Sequence, residues 1–384
     1  MKICVATGTR AEYGLLKPLI DKINADTVFE LQLLVTGAHL SPEFGLTYNL
    51  IKIDGYSCIE KVEMLLSSDT ANGIVKSMGL GMIGYADVFE RLQPDLLIIL
   101  GDRYEMLAVA STALIFKIPI AHLHGGEITE GAYDDAIRHA ISKMSSLHFT
   151  STTEYRDRLI QMGEQPQNVY NVGAIGLDNI KSLPLLNLID LEALLNIKFL
   201  NYNYLVTFHP ETLADVPVEE QFNELLVALD KQKDSFFIFT KANADTNGSV
   251  INKMIDKYVS TYPNKAVVYA SMGQLRYLSA MKYCTAVVGN SSSGIIEAPS
   301  FNKPVINIGD RQKGRIQGEN TFNVVASSVI IENAFNEITT LSIKENAVNP
   351  YGNGNTSSEV IEIIKNIRVK NLVYKTFYNL PHNV

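Results

Sequence analysis

Cysteine, excess positive charge and long apolar runs are what this chain of 384 residues has little of. Its three cysteines, Cys4, Cys58 and Cys284, are far apart and odd in number, which argues against a disulfide framework and fits reduced thiols in a cytoplasm. No apolar run approaches the ~20 residues needed to span a bilayer. The run Ile3–Ala6 behind Met1-Lys2 is too short for a signal-peptide core, and no cleavage pattern follows it. The expectation is a soluble, cytoplasmic protein without a membrane partner. Its 33 Lys and Arg against 41 Asp and Glu leave a net charge of −8, which argues against general nucleic-acid binding. A small anionic ligand still needs only a local basic pocket. There is no low-complexity tract, no short-period repeat, and no His/Asp/Glu spacing that matches a specific zinc signature.

What is present describes a globular chain, 46% hydrophobic and 19% charged, long enough for roughly two to three domains. Strand-like runs (Lys2–Thr7, Leu31–Thr36, Pro94–Leu100, Ile118–Leu123, Leu147–Thr150, Asn168–Val172) alternate with helical periodicity such as Leu15, Leu16, Leu19, Ile20 and Ile23. After a proline-containing, charge-poor junction at Lys181–Asn201 the alternation resumes with Tyr204–Phe208, Phe236–Thr240, Ala266–Tyr269, Ala286–Gly289 and Val305–Ile308. Strands alternating with helices predict right-handed βαβ units and parallel sheets. The expected class is α/β: two doubly wound, Rossmann-like domains over residues 1–180 and 181–356, with an amphipathic helix near Ser357–Ile367 opening a final segment, 357–384.

The richest stretch runs from Gly101 to Lys143 and holds three of the seven histidines with a cluster of acids. Asp102, His124 and Glu127 emerge where strands end, which is where open α/β sheets bind ligands. With no cysteine nearby, the chemistry suggested is proton transfer. Asp134, Asp135, Arg138 and His139 open a helix; i,i+4 spacing pairs Asp134 with Arg138 and Asp135 with His139. Acids at a helix start are also favoured by the macrodipole, so capping with surface ion pairs is the plain alternative.

Two other turns offer anion sites. Thr7-Gly8-Thr9-Arg10 feeds a helix from a strand end, and Arg10 adds a cation; a tight turn with a surface arginine explains it equally well. Gly289-Asn290-Ser291-Ser292-Ser293-Gly294 opens a helix containing Glu297. Its three hydroxyls exceed what N-capping needs and suit a diphosphate, with Glu297 able to accept from ribose hydroxyls. His209, at the end of another strand, reads as either a functional or a turn residue. Asp310–Arg315 supplies further cations.

Three patterns are set aside or ranked lower. Gly79–Gly84 matches GxGxxG, but the polar Asp69–Met78 before it is a poor strand, so a packed helix is expected instead of a dinucleotide site. Gly289–Gly294 resembles GxSxG but has Ser293 where the second glycine belongs, against a serine hydrolase. His122 and His124, two apart on a strand, should face the same side, and with Asp134, Asp135 and His139 could form a metal site. That reading ranks below a metal-free one.

Taken in order, TGTRAEYG, VTGAHL, LGDRYE, HLHGGE, DDAIRHAISKMS, FHPET, GNSSSGIIEAP and NIGDRQKGR resemble the UDP-N-acetylglucosamine 2-epimerase family, and most closely its hydrolysing, NeuC-type branch. The resemblance implies the glycosyltransferase-B architecture, with a cleft between two Rossmann-like domains and a C-terminal helix returning to the first. It implies a UDP-sugar substrate, UDP held mainly by the second domain, no cofactor, no metal and a homodimer. The implied reaction converts UDP-N-acetylglucosamine and water to N-acetylmannosamine and UDP through 2-acetamidoglucal, for sialic-acid and surface-polysaccharide synthesis. The same reaction on UDP-2,4-diacetamido-2,4,6-trideoxyglucose, a glycosyltransferase and a silent nucleotide-sugar sensor are the alternatives. Residue by residue, the resemblance implies catalytic roles for Asp102, Asp134 and His209. It implies nucleotide or phosphate contacts from Arg10, Arg138, Ser291, Ser293 and Glu297, to which Ser292, Gly294 and Arg315 are added from the local motifs. Many relatives have a glutamate where this chain has His124, so His124 and Glu127 are both expected to share the acid–base work.

Overall fold

Short, wholly apolar runs are stable as strands only when both sheet faces are covered, and this chain covers them. The structure is a computed structural model and describes residues 1–66, 68, 70–130, 132–211, 216–242, 247–340 and 348–381. Asp69, Gly131, Thr212 and residues 382–384, of the segments discussed above, lie outside the described residues. Contacts divide the chain into two units. The first takes Met1–Glu127, Asp134–Asn179 and the chain from Tyr351 onward; the second takes Ile180–Pro350 and the short piece from Ile128 to Tyr133.

In the first unit the strands are β1 (Lys2–Thr7), β2 (Glu30–Thr36), β3 (Ile59–Val62), β4 (Leu96–Leu100), β5 (Ile120–Leu123), β6 (Leu147–Thr150) and β7 (Val169–Asn171). They pair in parallel in the order β3-β2-β1-β4-β5-β6-β7. Strand alternation sends Ile3, Val5, Leu33 and Ile98 to one core, beside helices Arg10–Ala25 and Thr356–Asn366. It sends Cys4, Ala6, Leu97 and Ile99 to the other, beside helices Ala71–Leu92 and Tyr104–Ile115. Leu16, Leu19, Ile20 and Ile23 are fully buried, each contributing about 1.5–3 kcal/mol.

The second unit repeats the plan with β8 (Tyr202–Thr207), β9 (Ser235–Thr240), β10 (Ala266–Tyr269), β11 (Ala286–Gly289), β12 (Val305–Ile308) and β13 (Thr321–Val324). These are parallel in the order β10-β9-β8-β11-β12-β13. Both units are therefore doubly wound, as the alternation predicts. Gly79–Gly84 does lie inside the helix Ala71–Leu92, and a Cβ on Gly84 would come within 2.5 Å of Val62.

The edge strands β3 and β13 carry no clear apolar signal, since IEKV and TFNV are only partly buried. An edge strand has one unpaired side, so burial leaves a weaker mark on its sequence. The junction at Lys181–Asn201 is also less irregular than its composition suggests: Leu188–Leu195 is helical, with Leu191 and Leu195 buried.

Strand order reverses between β1 and β4 in one sheet and between β8 and β11 in the other. Such switch points open a crevice at the carboxyl ends of the strands. The turns that begin with Gly8, Gly101, Phe208 and Asn290 all leave from those four strand ends.

Candidate active site

At the end of β1, Thr9 caps the helix Arg10–Ala25 and Glu12 reaches back to close a capping box. Glu12 Oε2 accepts from the amides of Gly8 and Thr9 at 2.8 and 3.1 Å. The chain's own carboxylate thus occupies two of the donors expected to hold a phosphate. Burial pushes the Glu12 carboxyl up to about 7, against the lowering influence of Arg103. Arg10 is the first residue of this helix and is half-buried. Beneath the turn, buried His39 bridges Thr7 and Thr47 at 3.0 and 2.8 Å, and Arg103 holds Glu105. Burial lowers His39 to about 3, so the ring is neutral.

The ends of β4 and β5 bring Asp102, Arg138, His124 and Glu127 into one network. Arg138 is 1% exposed, and its guanidinium donates to Asp102, to Asp135 Oδ1 at 3.1 Å and to the Glu127 carbonyl at 2.9 Å. On its own helix Arg138 also reaches back three residues to Asp135, an i,i+3 pair. Asp135 Oδ2 also lies 3.5 Å from His139, as the spacing predicts. Asp134 begins the helix Asp134–Met144 and is half-buried.

The two histidines do not share a face. His122 lies within β5, where its Nε2–H donates to the Gly101 carbonyl at 2.7 Å and its Nδ1 accepts from Ser142 at 3.0 Å. Burial lowers it to about 3. His124 sits past the strand end at φ 65°, in the left-handed region, which takes its side chain out of the strand alternation. Its Nδ1 is 2.9 Å from Glu127 Oε1, and its Nε2 accepts from the Ile175 amide at 3.2 Å. Glu127, 1% exposed, also accepts from Ser151 at 2.8 Å. Both ring nitrogens of each histidine are thus engaged by the protein. Among the described residues no group of three or more His, Cys, Asp or Glu side chains is arranged to hold a metal ion.

In the second unit, Asn290 ties three turns together. It is fully buried; its Oδ1 accepts from the His209 amide at 2.7 Å and its Nδ2 donates to the His209 carbonyl at 2.9 Å. Its own carbonyl accepts from Arg311 Nη1 at 3.2 Å and Gln312 Nε2 at 2.8 Å. Glu211 Oε1 receives the Arg311 amide at 3.2 Å, and burial raises the Glu211 carboxyl. A Cβ on Gly309, at φ +81°, would fall 1.9 Å from that same oxygen, so glycine is needed there.

Ser291 caps the five-residue helix Ser292–Ile296, accepting from the Ser293 amide at 3.3 Å. Ser291, Ser292 and Ser293 are all half-buried. Ser293 donates its hydroxyl to Glu297 Oε2, and burial pushes Glu297 up to about 7. Gly294 is buried, its absent Cβ lying 3.0 Å from Val305 and allowing the helix to sit against β12. Arg315 is half-buried in the turn after β12, its amide bonded to the Gln312 carbonyl at 3.2 Å. His209 is 7% exposed.

Asn290, Gln312, Ser151, Glu105 and His39 belong to these networks without having been singled out from the sequence. Asn290 and Gln312 lay inside quoted motifs, but their partners are 81 and 22 residues away and no spacing rule reaches that far.

A family profile described as UDP-N-acetylglucosamine 2-epimerase matches residues 21–365. The chain belongs to that family. It is 48% identical over 319 residues to the Campylobacter jejuni GDP/UDP-N,N'-diacetylbacillosamine 2-epimerase (hydrolyzing), covering 83% of each chain. It is 38% identical over 385 residues to the Escherichia coli polysialic acid biosynthesis protein P7, covering 99% of this chain and 98% of that one. The fold matches a crystal structure of UDP-GlcNAc 2-epimerase from Neisseria meningitidis bound to UDP-GlcNAc, with a TM-score of 0.79 at 19% identity over 95% of this chain and 100% of that chain. The architecture is thus the two Rossmann-like α/β units of the glycosyltransferase-B class. Among the described residues no helix is long and apolar enough to cross a membrane.

Proposed function

We propose that this family member is a hydrolysing UDP-sugar 2-epimerase whose substrate is UDP-2,4-diacetamido-2,4,6-trideoxyglucose, the diacetylbacillosamine nucleotide. The observation that carries this reading is the 48% identity, over 83% of both chains, to a relative described as acting on that sugar. The sequence alone pointed first to UDP-N-acetylglucosamine, and the relatives move the preference to the diacetamido sugar.

The reaction begins with removal of the sugar C2 proton. The electron pair forms a C1=C2 bond as the C1–O bond breaks, and the charge leaves on UDP. Water then adds at C1 while C2 regains a proton on the opposite face, releasing the 2-epimeric free sugar. Positioned carboxylates suit both proton transfers. We assign these to Asp102, oriented by Arg138, and to Asp134, with His124 and Glu127 as a bonded pair supporting the site. We assign the growing charge on UDP to Arg10, His209, Arg315 and the Ser291–Ser293 hydroxyls, and the ribose to Glu297. Products of this kind would feed surface-polysaccharide synthesis.

A second substrate, UDP-N-acetylglucosamine, is favoured by the 38% identity to the polysialic acid protein over almost the whole chain. NMR of each UDP-sugar with the protein in D2O, with chelator present, tests both. Free diacetamido sugar of the manno configuration, with UDP and deuterium at C2, is the expected result. Turnover of UDP-N-acetylglucosamine alone would replace the substrate, and inertness to both would overturn the enzyme reading.

A further inference from the structure

In the second unit Thr207, His209 and Gln312, all buried, meet at Asn290, a residue whose side chain faces protein rather than solvent. An amide side chain both donates and accepts, and Asn290 uses both functions on a single residue: it accepts the N–H of His209 at 2.7 Å and donates to its carbonyl at 2.9 Å. This clamps the His209 backbone against the end of β11, although the two residues are 81 apart in sequence. The Asn290 amide donates to the Thr207 carbonyl at 3.1 Å, and its own carbonyl takes Arg311 and Gln312. The strand ends of β8, β11 and β12 are thereby held to one another through one residue. Just before it, Gly289 at φ +124° lies so close to β8 that a Cβ would sit 2.0 Å from the Thr207 carbonyl oxygen. No side chain could be tolerated there, so the clamp works where the two backbones leave no room for a Cβ.

We propose that Asn290 is a positioning residue that acts on the reaction through His209, by fixing the backbone from which the imidazole is presented. The proposal rests on the hydrolysing-epimerase reading and deepens it. Aspartate is nearly isosteric but cannot donate to the His209 carbonyl, and it adds a charge beside it. Misplacing a catalytic group by a fraction of its productive geometry costs up to about 100-fold in rate. Asn290→Asp should therefore lower kcat about 10- to 100-fold.

A double-variant cycle separates positioning from general structural damage. If Asn290 acts through His209, adding Asn290→Asp to His209→Ala should cause no further loss of kcat. Losses that multiply would overturn the proposal. Hydrogen exchange gives a test that does not depend on turnover. The His209 amide should be protected in the wild type and lose about 10-fold of that protection in Asn290→Ala. Unchanged protection would overturn the proposal even if the wild type proved inert to both UDP-sugars, an outcome that by itself counts only against the functional reading.

Discussion

His124 and Glu127 form a bonded pair: Nδ1 of the ring is 2.9 Å from Oε1 of the carboxylate, while the Ile175 amide donates to Nε2. One ring tautomer satisfies both bonds, with the proton on Nδ1. Glu127 takes Ser151 at the same oxygen and is almost wholly enclosed. Glu127→Ala would leave a ring N–H and a hydroxyl buried without their acceptor, at about 1–3 kcal/mol each. Glu127→Gln keeps an oxygen there and should lose clearly less. Urea unfolding of the two variants decides this; equal losses would mean that the negative charge, not the pair of hydrogen bonds, is what matters.

Arg138 is a buried cation of the first unit. Arg138→Met leaves the half-buried Asp102 and Asp135 and the buried Glu127 carbonyl without it and should destabilise by about 1–3 kcal/mol. Arg138→Lys should recover little, because a point charge on a flexible stem does not reproduce a planar fork with three partners. Full recovery of both stability and kcat by lysine would contradict the positioning of Asp102 by the guanidinium.

Asp134 stands at the helix start and, like Asp102, is half-buried. Asp134→Asn keeps its size but exchanges one accepting oxygen for a donating amide and removes the base. Turnover should fall about 100- to 10,000-fold while UDP binding stays nearly intact. Loss of UDP affinity in calorimetry would reassign Asp134 to holding the nucleotide.

Glu297 carries a pH signature. Burial raises its carboxyl from 4.5 to about 7 in the folded protein. Between those values the folded state binds more protons than the unfolded one, so stability from this group falls as pH rises and is fully lost above about 7. Glu297→Gln has no such dependence. The variant should gain on the wild type by about 3 kcal/mol between pH 4 and pH 8, and parallel stability curves would argue against a buried, protonated Glu297.

How much of this was legible beforehand follows a physical line. Helical spacing of Leu16, Leu19, Ile20 and Ile23, and the apolar runs at Leu96–Leu100 and Ala286–Gly289, are local signals, because burial of one face or both leaves its period in neighbouring residues. The ordered motifs from TGTR to NIGDRQKGR identified the family by the same kind of local reading. The edge strands β3 and β13 escaped because half-exposure weakens that period.

The sequence by itself therefore determined the two wound sheets, the family and the strand ends at which the candidate site residues lie. Only the tertiary structure decided which side chains meet there. Arg138 reaches Asp102 across 36 positions, and Asn290 reaches His209 across 81. It also turned His124 away from His122 with a left-handed backbone, and filled the Gly8–Thr9 amides with Glu12. Such pairings depend on where whole strands end in space, and no short-range periodicity carries that information.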